Sequence, residues 1–142
     1  MPGKRIKPLK IAVDFDGTIV EHKYPEIGEE LLFAFETLKQ LQKKGHILIL
    51  WTYRAGKELD EAVAFCRDHG IEFYAVNKSY PEEIMDDSIS RKIDADVFID
   101  DRNVGGFPGW SKIWQLLNPE DDMEFTPPSK VKKGFLSNLL GK

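Results

Sequence analysis

The sequence predicts an α/β fold built on a mainly parallel sheet. Three observations carry this. Short β-rich apolar runs alternate along the chain with segments of helical period, which is the pattern of strand–helix–strand units with right-handed crossovers. One run, I-L-I-L-W at 47–51, is apolar without alternation, as suits a parallel strand covered on both faces. At 142 residues with 42% hydrophobic and 31% charged content, the chain has the size and composition of one soluble globular domain with a sizeable core.

Taken in order, residues 9–15 form a first strand with Ile11 and Val13 at alternate positions. The spacing of Leu31, Leu32, Phe35, Leu38 and Leu41 predicts a helix over 29–44, stopped by Gly45. A second strand follows at 46–52. A second helix at 57–69 turns Leu59, Ala62, Val63 and Cys66 inward and stops at Gly70. Third and fourth strands are expected at 73–76 and 95–100, with a short helix or irregular segment at 81–90 between them and a last helix at 110–117. Residues 1–118 read as the core. Residues 119–142 are acidic, then proline-containing, then basic. They read as a tail, with a small amphipathic helix or an oligomer or lid contact around Phe135 to Leu140.

Composition narrows the function. A net charge of −4 with a basic stretch only at Met1–Lys10 does not favour a general nucleic-acid binder. The lone Cys66 reads as a small core residue rather than a nucleophile, and His46 and His69, beside helix stops, read as structural. There is no signal peptide pattern and no membrane-length apolar run, so the expectation is a cytoplasmic enzyme or binding domain.

In parallel α/β sheets ligands bind beyond the carboxyl ends of the strands. Here those ends carry D-F-D-G-T (14–18), W-T-Y-R (51–54), N-K (77–78) and D-D-R-N (100–103). Four carboxylates on one edge repel unless a cation holds them, and hard oxygen ligands of this kind suit Mg²⁺. Each piece has a plainer reading as well: D-F-D-G-T as an Asx-type turn relaxed by Gly17, and Asp100–Asp101 as a solvated turn. A calcium loop fails on spacing. Counted from Asp14, position six is Ile19 and position twelve is Pro25, where that loop needs glycine and glutamate.

In series, D-x-D-G-T after an apolar strand, a strand ending in Thr52, a later lysine and a terminal D-D resemble the haloacid dehalogenase superfamily of phosphohydrolases, over about residues 9–117. The resemblance implies a Rossmann-like three-layer fold, a Mg²⁺ cofactor and a phosphoaspartyl intermediate. On it, Asp14 is the nucleophile. Asp16 is the general acid and base, and offers its carbonyl to the metal. Thr52 hydrogen-bonds the phosphate, and Asp100 and Asp101 complete the metal site. The phrase S-R-K-I-D-A-D-V-F-I-D-D resembles small nucleotidase-type and phage-type members and favours Lys92 as the neutralising lysine. Simple strand geometry favours Lys78 instead, because an extended chain at about 3.3 Å per residue carries Lys92 far below the edge.

Phe15, Gly17, Thr18, Tyr53 and Arg54 are the expected substrate contacts. Arg54 and Arg102 flank the edge, where either suits a second anionic group of the substrate or, equally, a surface ion pair. His22 and Tyr24 lie where the superfamily carries a flap, or else in a polar loop. The superfamily often carries a cap domain. Here the intervals Thr18 to the first helix and Lys78–Lys92 are too short for one. An open site then admits a phosphorylated small molecule or macromolecule, or is closed by a second copy of the chain. Two rivals stand beside the phosphatase. One is a phosphoaspartate receiver domain, disfavoured because the third strand ends in Asn77. The other is a nucleic-acid end phosphatase, disfavoured by charge.

Overall fold

The computed structural model describes residues 7–119. The expected tail contact at 119–142 and the first six residues of the basic N-terminus therefore lie outside what is described, apart from Pro119 itself. The elements are β1 (Lys10–Val13), α1 (Ala34–Lys43), β2 (Ile47–Leu50), α2 (Gly56–Asp68), β3 (Ala75–Val76), β4 (Val97–Ile99) and α3 (Trp110–Leu117). The strands form one parallel sheet in the order β3-β2-β1-β4. This is a small α/β Rossmann-like fold without a cap. The chain runs outward from β1 to β3 and then crosses back to the far side of β1, so the strand order reverses at the β1–β4 pair.

The two faces of the sheet are covered differently. Ile11, Val13, Leu48, Leu50 and Ile99 face a large core closed by all three helices, through Phe35, Leu38, Ala62, Cys66, Trp110 and Trp114. Ala12, Ile49 and Ala75 face the other way, onto Ile93, with Ala95 and Phe98 beside them. The segment leading into β4 supplies that second cover. It contains bends and turns rather than a helix, and it is tied down where the Asp94 N–H donates to Ser79 Oγ at 2.9 Å and the Ser79 N–H to Glu83 Oε1 at 2.7 Å. Burial pushes the Cys66 thiol up to about 12, as befits a core residue rather than a nucleophile. His69 stacks on Phe35 at 4.6 Å, and His46 Nδ1 accepts from the Leu9 N–H at 3.1 Å, so both histidines are structural.

One sequence expectation is corrected. The first helix begins at Ala34, not at residue 29, and Leu32 is exposed rather than inward. Residues 28–31 instead run back along 19–21: the Glu21 N–H donates to the Glu29 carbonyl and the Leu31 N–H to the Ile19 carbonyl, both at 2.8 Å. Phe33 then turns through a left-handed conformation, φ 68°, to start the helix. The i, i+3, i+4 spacing of Leu31 and Leu32 was satisfied by a hairpin that has its own reasons to exist, described below.

Helix α3 reaches the β1 loop through one buried bond, from Trp110 Nε1 to the Thr18 carbonyl at 2.8 Å. Trp110→Phe keeps most of the ring volume and leaves that carbonyl without its donor. It should lower unfolding stability by about 1–3 kcal/mol, read as a lower denaturant midpoint at constant slope.

Candidate active site

The carboxyl ends of β1, β2 and β4 open into a cavity of about 720 Å³. Asp14, Asp16, Thr52, Tyr53, Asp100 and Asp101 line it, joined by His22, Tyr24, Trp51 and Arg102. It stands at the β1–β4 reversal, where an open α/β sheet leaves a crevice between diverging connections.

Asp14 directly follows β1 and is fixed by its N–H, which donates to the Ile99 carbonyl of β4 at 3.0 Å. Its carboxylate and those of Asp100 and Asp101 place one oxygen each within 4.8 Å of one another. Burial, and then the charge of Asp100 and a hydrogen bond to Asp101, push the Asp14 carboxyl from 3.8 up to about 8. The donor set fits a hard divalent cation: three carboxylate oxygens, half-buried, with a like-charge conflict that such an ion relieves. Gly17 makes the arrangement sterically accessible. Its φ is +85°, and a Cβ there would lie 2.1 Å from Asp101 Oδ2. The glycine serves the turn and the approach of Asp101 at once.

Asp16 stands apart from this trio. Both of its oxygens accept from Arg54, Oδ2 from Nε and Oδ1 from Nη2, each at 2.8 Å. Arg54 is 1% exposed, and its remaining donors go to the carbonyls of Pro25, Glu26 and Glu58. All the N–H directions of the guanidinium are thus used inside the protein. The expectation that Arg54 meets substrate, or sits at the surface, is corrected: it is a buried partner of Asp16, and the hydrogen bonds it donates to Asp16 push its pKa further up. The guanidinium lies 5.1 Å from the ring of Phe15 and 5.1 Å from that of Tyr24.

Three other expected substrate contacts turn out to be supports. Phe15 is fully buried and packs edge-on against Phe65. Thr18 is fully buried too, and its hydroxyl donates to Asp14 Oδ2 at 3.2 Å, so it orients the acid rather than a ligand. The Gly17 N–H donates to the Val20 carbonyl at 2.7 Å, so that amide does not cradle an anion. Thr52 and Tyr53 do face the cavity. The Thr52 N–H donates to Asn77 Oδ1 at 2.8 Å, which is how the end of β3 serves the site. Thr52 Oγ1 accepts from the Arg54 N–H at 3.1 Å, so its own O–H remains a donor.

Neither Lys92 nor Lys78 belongs to the cavity lining. Lys92 does not trail below the edge, however. The segment before β4 folds back over the sheet and sets Lys92 Nζ 5.7 Å from the Phe98 ring, two residues before Asp100. The lining residues not picked out as site residues from sequence are Trp51, His22, Tyr24 and Arg102. Trp51 had a signal, since it immediately precedes Thr52 at a strand end. The sequence leaves His22 and Tyr24 between a flap and a polar loop, and the 19–31 hairpin brings both to the cavity lining.

A conserved protein coded by a locus from Bacteroides thetaiotaomicron has a solved structure that matches this chain at 55% identity. The match covers 84% of this chain and 100% of that one, with a TM-score of 0.76. The chain belongs to the same family as that protein. No family model matches, and no curated protein does. The relationship places the α/β architecture in a shared family. Among the described residues, no helix is long and apolar enough to cross a membrane.

Two expected outcomes follow from these electrostatics. Folded Asp14 holds its proton more tightly than unfolded Asp14, so its contribution to stability is complete below 3.8 and is lost as pH rises through about 8. Thermal melts in EDTA should therefore show Asp14→Asn gaining on wild type between pH 4 and pH 8, with added Mg²⁺ raising only wild type. Arg54→Met should cost about 3–5 kcal/mol, because it strands the buried Asp16 charge, while the Asp16→Leu/Arg54→Met double variant recovers part of that loss.

Proposed function

We propose that the protein is a Mg²⁺-dependent phosphomonoesterase that works through an aspartyl-phosphate intermediate, with Asp14 as nucleophile. The observation that carries this reading is the Asp14, Asp100 and Asp101 trio, open to a cavity at the β1–β4 reversal with Thr52 on the neighbouring strand end. Bound Mg²⁺ supplies charge neutralisation, which makes attack by one anion on another feasible and lowers the proton affinity of Asp14.

The chain's own residues divide the rest. An Asp14 oxygen forms a bond to phosphorus as the ester P–O bond breaks, and the departing alkoxide takes a proton. Water then attacks phosphorus, the Asp14–phosphorus bond breaks, and phosphate leaves. Thr18 holds Asp14 in the attacking orientation. The Thr52 hydroxyl donates to a phosphoryl oxygen. Asp16 lines the same cavity and is the candidate proton carrier for both steps. To protonate the leaving group it must exchange at least one of its two Arg54 bonds for the substrate. Arg54 keeps its carbonyl partners while it does so. Lys92 is the proposed neutralising cation. Phe98, which it covers, lies about 7 Å down the strand from Asp100, within the compass of a four-carbon stem.

Phosphate release from a broad panel of phosphomonoesters tests the proposal. Release should require Mg²⁺ and stop with EDTA. It should fall on the order of 10⁴-fold or more in Asp14→Asn. An inactive wild type across the panel, or an Asp14→Asn protein as active as wild type, refutes it.

A further inference from the structure

The cavity is far larger than a phosphate needs, and its rim is aromatic. Its volume, about 720 Å³, lies in the range that encloses an organic ligand of moderate size. Tyr53 lines it with 89% of its surface exposed, and Tyr24 lines it at 42%. A tyrosine this exposed contributes little to folding, yet its position is defined. The two rings meet edge to face, with centroids 6.0 Å apart and planes at 73°, and so form a corner. The Tyr24 ring lies 5.1 Å from the buried Arg54 guanidinium, which lies as close to the buried ring of Phe15. The Tyr24 half of the corner is therefore anchored on the core before any ligand arrives. Rigid aromatic side chains of this kind offer contact area at low entropic cost.

Charge limits what fits. Four aspartates line the cavity, against one arginine, Arg102, and His22. The chain as a whole carries −4. A phosphate at the acidic trio is tolerable, but a polyanionic strand running out of the cavity meets no cationic track among the described residues that line it.

We infer, on the basis of the phosphomonoesterase reading, that the leaving group carries a planar aromatic ring that stacks in the Tyr24–Tyr53 corner. The substrate class is the free nucleoside monophosphate rather than a sugar phosphate or a nucleic-acid end. Tyr53 is the specificity-determining residue. It touches the base and not the reacting atoms.

The test compares adenosine 5′-monophosphate with ribose 5-phosphate, which presents the same ester without the base, and with a 5′-phosphorylated oligonucleotide. Base–aromatic stacking makes about a tenfold or larger difference in kcat/KM, so wild type should prefer the nucleotide to ribose 5-phosphate by that factor. Tyr53→Ala should collapse the ratio, and Tyr53→Phe, which keeps the ring, should retain it. The oligonucleotide should be the poorer substrate. Equal turnover of nucleotide and ribose 5-phosphate, preference for a hexose phosphate or for the oligonucleotide, or a Tyr53→Ala ratio equal to that of wild type each overturns the inference and leaves the phosphatase standing. Turnover of other phosphomonoesters of the panel but of none of these also overturns the inference, whereas a wild type inactive across the whole panel fells the phosphatase reading instead. Equilibrium titration of Asp14→Asn protein with the same two ligands in Mg²⁺ then decides the corner. Tighter binding of the nucleotide, lost with Tyr53→Ala added, supports it, and equal binding refutes it.

Discussion

The buried Arg54–Asp16 pair is the constraint on which the rest of the site depends. Five hydrogen bonds leave one guanidinium, and they tie the strand end that carries Arg54 to three other stretches of chain: the turn after β1, the hairpin tip at Pro25 and Glu26, and the first turn of α2. A lysine in that place would offer three donors from a point and could not satisfy a planar array of this kind. Burying the charge is tolerable only because every donor is met, and removal of any one partner leaves a polar group stranded in an apolar setting. That is why the hairpin at 19–31 exists in place of a helical turn. Its carbonyls are needed at Arg54, and Gly28 lets it close, since a Cβ there would lie 2.2 Å from the Glu21 carbonyl oxygen.

The motif D-F-D-G-T thus separates two acids into opposite electrostatic circumstances within three residues. Asp16 receives its counter-charge from the protein. Asp14 receives none: it faces Asp100 and Asp101, and its proton affinity rises accordingly. The alternation of a short extended segment explains the division. Phe15, between them, turns into the core beneath Arg54, while Gly17 swings the chain aside and lets Asp101 approach. One acid is compensated internally, and the other three stand close enough together that a divalent cation would relieve their repulsion, which is the place the proposed Mg²⁺ would take.

Much of this was legible in the sequence, because strand ends in a parallel sheet obey topology. The alternation of apolar runs and helical periods fixed four strands and three helices, and the rule that ligands sit beyond carboxyl ends brought Asp14, Thr52, Asp100 and Asp101 together. What stayed hidden depended on side-chain pairing across distant segments. Nothing in W-T-Y-R says that its arginine turns inward to meet Asp16, 38 residues earlier, rather than outward to solvent. Leu31 and Leu32 fit a helical spacing by chance, and that spacing concealed the hairpin that brings Tyr24 over the cavity. Thr18 reads as a substrate contact until its burial, and the bond its carbonyl accepts from Trp110, 92 positions later, are seen. For Lys92, straight-strand geometry misled, because the approach to β4 doubles back over the sheet.

With no cap among the described residues, the proposed reading places selectivity on the rim. In a capped site a separate domain closes over the substrate and supplies its contacts. Here the elements that overhang the cavity are the hairpin tip and the turn after β2, and both are anchored by the same arginine: Tyr24 lies on its guanidinium, and Tyr53 precedes it in the chain. The group that holds the proposed acid in place therefore also sets the geometry of the aromatic corner. On the proposed reading, a substrate that draws Asp16 away from Arg54 also disturbs the guanidinium against which Tyr24 packs. Chemistry and recognition would then be coupled through one buried cation.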